Sequence, residues 1–255
     1  EQLLADGVLE NDYEGEPPDA DSYQAREDIY AGYLMGKAVA GDLEFIGGVR
    51  VEYLDFRSEG FELIETEDGE TVAPRASTSN NTQVLPRVQV NYRPSEKFVI
   101  RGAAFASLAR PEFVFLNAAT EIEIVDDNSI EAFVGNPALK PAYAWNFDLG
   151  AEYYLGSIGL ISANVFYKTI EDFIFIDSAP EGETTSPELE ARFPGYNIEV
   201  ETVFNGNRAE VYGVELSFMN QFTNLDGFLG GFGVYANVTL QETSADTGLD
   251  GRGEV

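Results

Sequence analysis

The residues of this 255-residue chain that could do chemistry are carboxylates, lysines and tyrosines, because it holds neither cysteine nor histidine. Their absence removes thiolate metal sites, most zinc sites, the usual nucleophilic triads and the commonest general base. What is left is thin. Glu121 and Glu123 have the residue type of a glycosidase carboxylate pair, but they lie in an acidic stretch with no pocket signalled around them. Asp246 to Glu254 has acidic spacing faintly like a calcium loop without that motif's regular Asp positions, so a solvated turn is the simpler reading. Tyr143 and Trp145 could stack on a sugar or chelate ring, and interface anchoring accounts for them equally well. No catalytic residue, metal ligand or cofactor site is assigned, and no cofactor is expected.

A second set is more informative because of where it falls. Arg50, Glu52, Arg87, Arg101, Asp148, Glu152, Lys168 and Glu215 each occupy the polar parity of a segment whose other parity is apolar. The clearest such segment runs from Asn146 to Leu155, where Phe147, Leu149, Ala151, Tyr153 and Leu155 alternate with Asn146, Asp148, Gly150, Glu152 and Tyr154. An extended strand sends successive side chains to opposite faces, so one face is apolar and the other charged. Val165, Leu216 and Val234 belong to the apolar parity of later segments. Such a sheet lies between two solvents. In a soluble sandwich the apolar face meets a second sheet; in a transmembrane barrel it meets lipid, and the polar face lines the lumen.

Period two recurs over about eight segments, near 26–37, 42–56, 82–93, 97–108, 145–155, 159–176, 207–222 and 231–242. Short links near Gly36–Asp42, Arg93–Lys97, Leu155–Gly159 and Thr223–Gly230 carry turn-forming residues. Long links cover about 57–81, 109–144 and 177–206. If neighbours are antiparallel, all short turns fall at one end and all long loops at the other, the asymmetry of short periplasmic turns and long extracellular loops. The expected fold is all-β, an antiparallel up-and-down transmembrane β-barrel portion, an open curved sheet whose first and last strands lack outer partners. Tyr53, Tyr92, Tyr153, Tyr167 and Tyr212, on the outward parity near strand ends, suit the aromatic girdles of such a barrel. A complete eight-stranded anchor or adhesin barrel and a soluble carbohydrate-binding β-sandwich stay open as alternatives.

Charge narrows the partners. A formal charge of -30 at pH 7 repels a polyanion at long range, so no nucleic-acid partner is expected. The acidity gathers in the long links, at Glu59 to Glu70, Glu121 to Glu131 and Asp177 to Glu190, where it reads as solvation of mobile loops or a cation-gathering mouth. No run of about 18 apolar residues is present, which argues against a spanning helix and leaves a barrel untouched. Glu1 to Glu16 is acidic and lacks a signal-peptide pattern, placing any targeting segment outside this stretch.

Three strings resemble the carboxy-terminal barrel of TonB-dependent outer-membrane receptors. The first joins Val84-Leu85-Pro86-Arg87 to Arg101 through Phe113, ending at Arg110-Pro111-Glu112-Phe113. The second is Gly135-Asn136-Pro137-Ala138-Leu139-Lys140-Pro141 followed by Asn146 through Tyr154, and the third runs from Asn205 through Leu216. With Gly47-Gly48-Val49-Arg50-Val51-Glu52, the resemblance spans nearly the whole chain. It implies a barrel of about 22 strands holding an amino-terminal plug. It also implies import of iron chelates, cobalamin or carbohydrates across a Gram-negative outer membrane, energised through TonB. Residues 1–255 are then expected to be an interior barrel portion, with the plug domain and closing strands absent. The polar set becomes a lumen wall on which a plug docks, and Phe147, Leu149, Val165, Leu216 and Val234 become lipid-facing. A charge at mid-depth on the lipid face costs about 2–4 kcal/mol for Arg or Lys, which favours that assignment of faces. The expected partners are outer-membrane lipid, the protein's own plug domain, TonB and a small-molecule nutrient.

Overall fold

A computed structural model describes residues 23–66, 69–117, 120–126, 128–156, 158–178, 187–223 and 227–248. Eight long strands form a continuous antiparallel wall: β1 (Gln24–Ala40), β2 (Leu43–Thr66), β3 (Gly69–Ser95), β4 (Phe98–Ala109), β7 (Ala142–Tyr154), β8 (Gly159–Glu171), β11 (Arg208–Gln221) and β12 (Gly233–Asp246). These are the eight segments read from period two, in chain order, except that the one read as 159–176 stops at Glu171, before Asp172 with its left-handed φ of 54°. Their short links are tight where a left-handed backbone is needed, as at Gly41 (φ 59°) and Gly156 (φ 70°), a conformation glycine adopts without a Cβ penalty. Among the described residues β1 pairs only with β2 and β12 only with β11. The wall is therefore an open curled sheet, which sets aside the closed eight-stranded barrel.

The apolar parity lies on the convex side with nothing packed over it. Leu149 is 58% exposed, Val165 53% and Leu216 51%. A second sheet would have buried these side chains, so the sandwich alternative is set aside too. Burying one such side chain is worth about 1.5–3 kcal/mol, and leaving rows of them in water would be prohibitive. The band has membrane dimensions. From Leu43 to Tyr53 on β2, ten steps of about 3.3 Å tilted about 40° rise about 25 Å, the height of a barrel's apolar belt. At its outer rim the Tyr30 and Tyr53 rings lie 6.4 Å apart. Beyond them the same face carries the ion pairs Arg26–Asp28 (2.9 Å) and Arg57–Asp55 (3.4 Å), residues that belong in water. No helix among the described residues is long and apolar enough to cross a membrane.

The long links hold more structure than loops. Residues 57–81 continue β2 and β3 as a hairpin paired from Leu43↔Tyr92 to Thr66↔Gly69. The link after β4 enters α1 (Phe113–Leu116), β5 (Thr120–Asp126) and β6 (Ser129–Val134), and the link after β8 holds β9 (Ile174–Ser178), α2 (Pro187–Arg192) and β10 (Asn197–Asn205). These pieces join in one sheet, with β5 parallel to β2, β6 antiparallel to β5, and β10 parallel to β6. The physical reason is that the carboxylates themselves sit on one parity: Glu121 and Glu123 flank Ile122, and Glu199 and Glu201 flank Val200. The opposite parity builds a core of Ile122, Ile130, Ala132, Ile198 and Val200 closed by Leu189 of α2.

This outer sheet folds inward as a cap. Leu54 and Phe56 share the concave parity of Glu52, yet both are buried, under Leu116, Leu139 and Val203 with Phe133 packed alongside. The segment leading into α1 is pinned to the same wall. Ser58 Oγ lies 3.1 Å from Asn117 Oδ1, and Phe56 and Phe113 are 5.7 Å apart. Gly60 leaves room beside them, since a Cβ there would lie 2.5 Å from Asn117 Oδ1 and push that side chain aside.

Candidate functional site

Below the cap, the concave face holds a groove of about 560 Å³. Its walls come from the polar parity of four adjacent strands: Arg101 on β4, Asn146, Asp148 and Glu152 on β7, Asn164 and Lys168 on β8, and Glu215 on β11. Register explains the gathering. Gly150 lies opposite both Arg101 and Asn164, and a Cβ there would come within 2.0 Å of Asn164 Oδ1, so a glycine makes room for the Asn164 side chain to lean over β7. Asn146 is buried and donates to Ser107 Oγ at 3.0 Å, fixing one end of the groove.

The eight polar residues singled out in the sequence divide into two groups. Five are held by partners within the wall. Arg50 donates to Glu52 at 2.6 Å, Arg110 also pairs with Glu52 and lies 3.8 Å from Glu27, and Arg101 pairs with Glu152, which also accepts from Tyr154 Oη at 2.6 Å. Arg87 donates to Gln89 at 3.2 Å and lies 5.2 Å over the Phe105 ring. The others, Asp148, Lys168 and Glu215, line the groove with no hydrogen bond or ion pair among the described residues. Open charges of both signs facing a concave space can meet a polar partner there; paired ones mainly stiffen the wall.

Several members of these networks are illegible from spacing alone. Arg110 and Glu27 join Glu52 only because the chain after β4 turns inward. Lys37, Asn91 and Arg93 converge on Glu44 near the short-turn end, with Asn91 donating at 2.8 Å. Glu62, in the acidic stretch read as loop, is buried between Arg75 (2.5 Å) and Arg192 (2.9 Å). Burial pushes its carboxyl up, but the Arg192 and Arg75 guanidiniums outweigh this and hold it below the ordinary carboxylate range.

The other named positions are placed as follows. Phe147, Leu149, Val165, Leu216 and Val234 sit exposed on the face opposite the groove. Tyr143 and Trp145 share that face with Phe147: Tyr143 and Trp145 rings are 6.3 Å apart, and Trp145 stacks on Phe147 at 6.4 Å. These two rings therefore face away from the groove. They form an aromatic row at the outer rim, continued by Phe147 to Tyr167 at 6.2 Å. Glu121 and Glu123 lie exposed on one face of the cap with Glu131, Glu199 and Glu201 around a shallow depression, without the enclosed site that glycosidase chemistry needs. Among the described residues no group of carboxylates is arranged to hold a metal ion. Asp246 accepts from Gly248 N at 2.9 Å and from Asn207 Nδ2 at 3.2 Å, while the rest of the calcium-like string, from Leu249 on, and residues 1–22 lie outside the described residues.

The sequence matches the family described as TonB dependent receptor-like, beta-barrel, over residues 5–254. Among solved structures it resembles the copper transporter OprC, at 13% identity and a TM-score of 0.59 over 88% of this chain and 30% of that one. It also resembles the ferric-catecholate import receptor Fiu from E. coli K12 (14%, TM-score 0.56, 88% and 29%) and the ferric yersiniabactin uptake receptor FyuA from Yersinia pestis (14%, TM-score 0.54, 88% and 28%). At these identities the likeness is one of fold, and this chain spans about 30% of the length of the structures it matches. No curated protein matches it by sequence. An open curled wall with an apolar convex belt, a charged concave face and one-sided long excursions is what a portion of such a barrel looks like, and the chain belongs to the TonB-dependent receptor β-barrel family.

Proposed function

We propose that this chain is an interior portion of an active transporter of a Gram-negative outer membrane, one that binds a scarce nutrient outside the cell and imports it with energy transmitted through TonB. The observation that carries the reading is the concave wall, where Asp148, Lys168 and Glu215 stand unpaired among the described residues beneath an inward-folded cap. A plug domain docked on that wall meets open charges of both signs in a solvated cleft. Each such contact is weak, on the order of 0.2–1 kcal/mol, so the set holds a plug collectively and releases it piecewise under a pull from the periplasm. The paired charges at Glu52 and Glu152 keep the wall itself rigid while that happens. The reading assigns no enzymatic step.

Iron chelates, cobalamin and carbohydrates are the cargo classes proposed. The fold neighbours named for copper, ferric catecholates and ferric yersiniabactin favour a metal or metal chelate as the first class to test. Within these 255 residues there is no histidine or cysteine and only two methionines, so a bare soft ion has almost no ligands in this part of the barrel. A chelate carries its own ligands and needs only shape and polar contacts. The test is growth of a strain lacking the full-length receptor on each limiting nutrient in turn. Loss of growth on one nutrient, reproduced by deleting TonB and restored by the intact gene, is the expected outcome; uptake that persists without TonB overturns the reading.

A further inference from the structure

We propose that Glu62 is the latch of the outer cap: its buried carboxylate ties Arg192 of α2 to the β2–β3 hairpin, and loss of that tie lets the α2 segment swing away while the eight-stranded wall stays folded. The geometry is convergent. One oxygen of Glu62, on a residue only 4% exposed, accepts from Arg75 Nη2 at 2.5 Å and from Arg192 Nη1 at 2.9 Å. Arg75 belongs to the same hairpin as Glu62, whereas Arg192 arrives from 130 positions along the chain. The Arg75 contact is thus internal to the hairpin, and the Arg192 contact joins two independent excursions of the chain.

The other links given for the described residues run through the cap sheet and its core, against which Ile64 of the hairpin packs. The backbone link between hairpin and cap is the four-residue parallel pairing of Glu62–Glu65 with Thr120–Glu123. Leu189 holds α2 to the cap core, and Arg192 lies 5.6 Å over Phe193, which aims its guanidinium. A charge pair out of water is close to all-or-none, because a half-open pair exposes the desolvated carboxylate without regaining the partner. Arg192 is the solvent-reachable half, with its side chain 30% exposed, so release starts from the α2 side. A cap that folds over Leu54 and Phe56 on the concave side must give way before anything bulky reaches the groove. This inference rests on the outer end being the entrance, as proposed above.

The experiment uses the full-length receptor in detergent, with any cysteines outside this region replaced by serine and spin labels at Thr71→Cys in the hairpin and Ala191→Cys in α2. The unaltered latch is expected to give one narrow distance distribution by pulsed electron paramagnetic resonance. R192M, which keeps the aliphatic stem on an exposed helix, and E62Q are each expected to move at least half of the population to longer, broader distances. R75M, which leaves the Arg192 contact in place, is expected to move less than half as much. An unchanged distribution in both R192M and E62Q overturns the latch. So does loss of the heat-modifiable gel shift of the folded barrel in R192M, which would make the contact a structural strut. Because the readout is a distance, it stands or falls separately from the uptake assay.

Discussion

The wall and the cap are built from the same period-two alternation, and it means opposite things in the two places. On β7 the apolar Leu149 is 58% exposed and its polar neighbour Asp148 faces the groove; on β5 the apolar Ile122 is fully buried and its neighbours Glu121 and Glu123 face out. Each strand sends its apolar face to wherever water is absent. In the wall, on the function proposed above, that place is the hydrocarbon outside the barrel. In the cap it is a small protein core closed by α2. The alternation therefore marks a two-faced strand and leaves the medium on each face undetermined.

The sharpest way to break that comparison is substitution at the paired positions. Ile130→Ala is expected to cost about 2–5 kcal/mol through lost burial and a cavity, and to act only on the cap. Hydrogen exchange in the full-length receptor should speed up in β5, β6 and β10 and leave β7 and β8 protected; equal loss in the wall would mean the two regions are one cooperative unit. Leu149→Arg should cost about 2–4 kcal/mol in denaturant titrations of the receptor in lipid vesicles, because it puts a charge mid-belt on the convex face. Asp148→Asn, one residue away, should cost well under 1 kcal/mol, since Asp148 has no ion pair to lose among the described residues. Comparable losses at 148 and 149 would reverse the assignment of faces.

Acid should separate the regions next. Glu62 has a folded-state carboxyl held below its ordinary value, so its stabilisation is present above about pH 4.3 and is lost as pH falls through the lowered folded value. The charged groups facing it are Arg75 and Arg192. Cap exchange should therefore rise at acid pH below the usual carboxylate range, and E62Q should show the raised rate at neutral pH with a flatter profile. The smallest effect belongs to the wall pair Arg101–Glu152, on side chains 38% and 24% exposed. A double-mutant cycle there should return a coupling of about 0.2–1 kcal/mol.

Much of the wall was legible because a membrane strand is long and its parity strict. All eight segments appear in the structure, in order, with their short turns at one end. The β2–β3 extension and the four cap strands were hidden for a specific reason. In β5 and β10 the polar parity is largely glutamate, at Glu121, Glu123, Glu199 and Glu201, and a dense run of carboxylates reads as a solvated loop before its alternation is noticed. Ile122 with Ile124, and Ile198 with Val200, were the available signal. Of the site, the parity placed Arg101, Asp148, Lys168 and Glu215 on one side of the sheet. It could not rank them, because whether a charge is paired depends on strands distant in the chain.

Sequence alone determined that this chain makes two-faced strands, which residues share a face, and which ends carry turns, because those follow from side-chain alternation and local backbone preference. It also carried the family resemblance. Tertiary structure decided what each face meets. Only the inward turn after β4 brings Arg110 to Glu52, and only the meeting of two excursions buries Glu62 between Arg75 and Arg192. Alternation is a property of neighbours along the chain, whereas burial and charge pairing belong to segments that folding alone brings together.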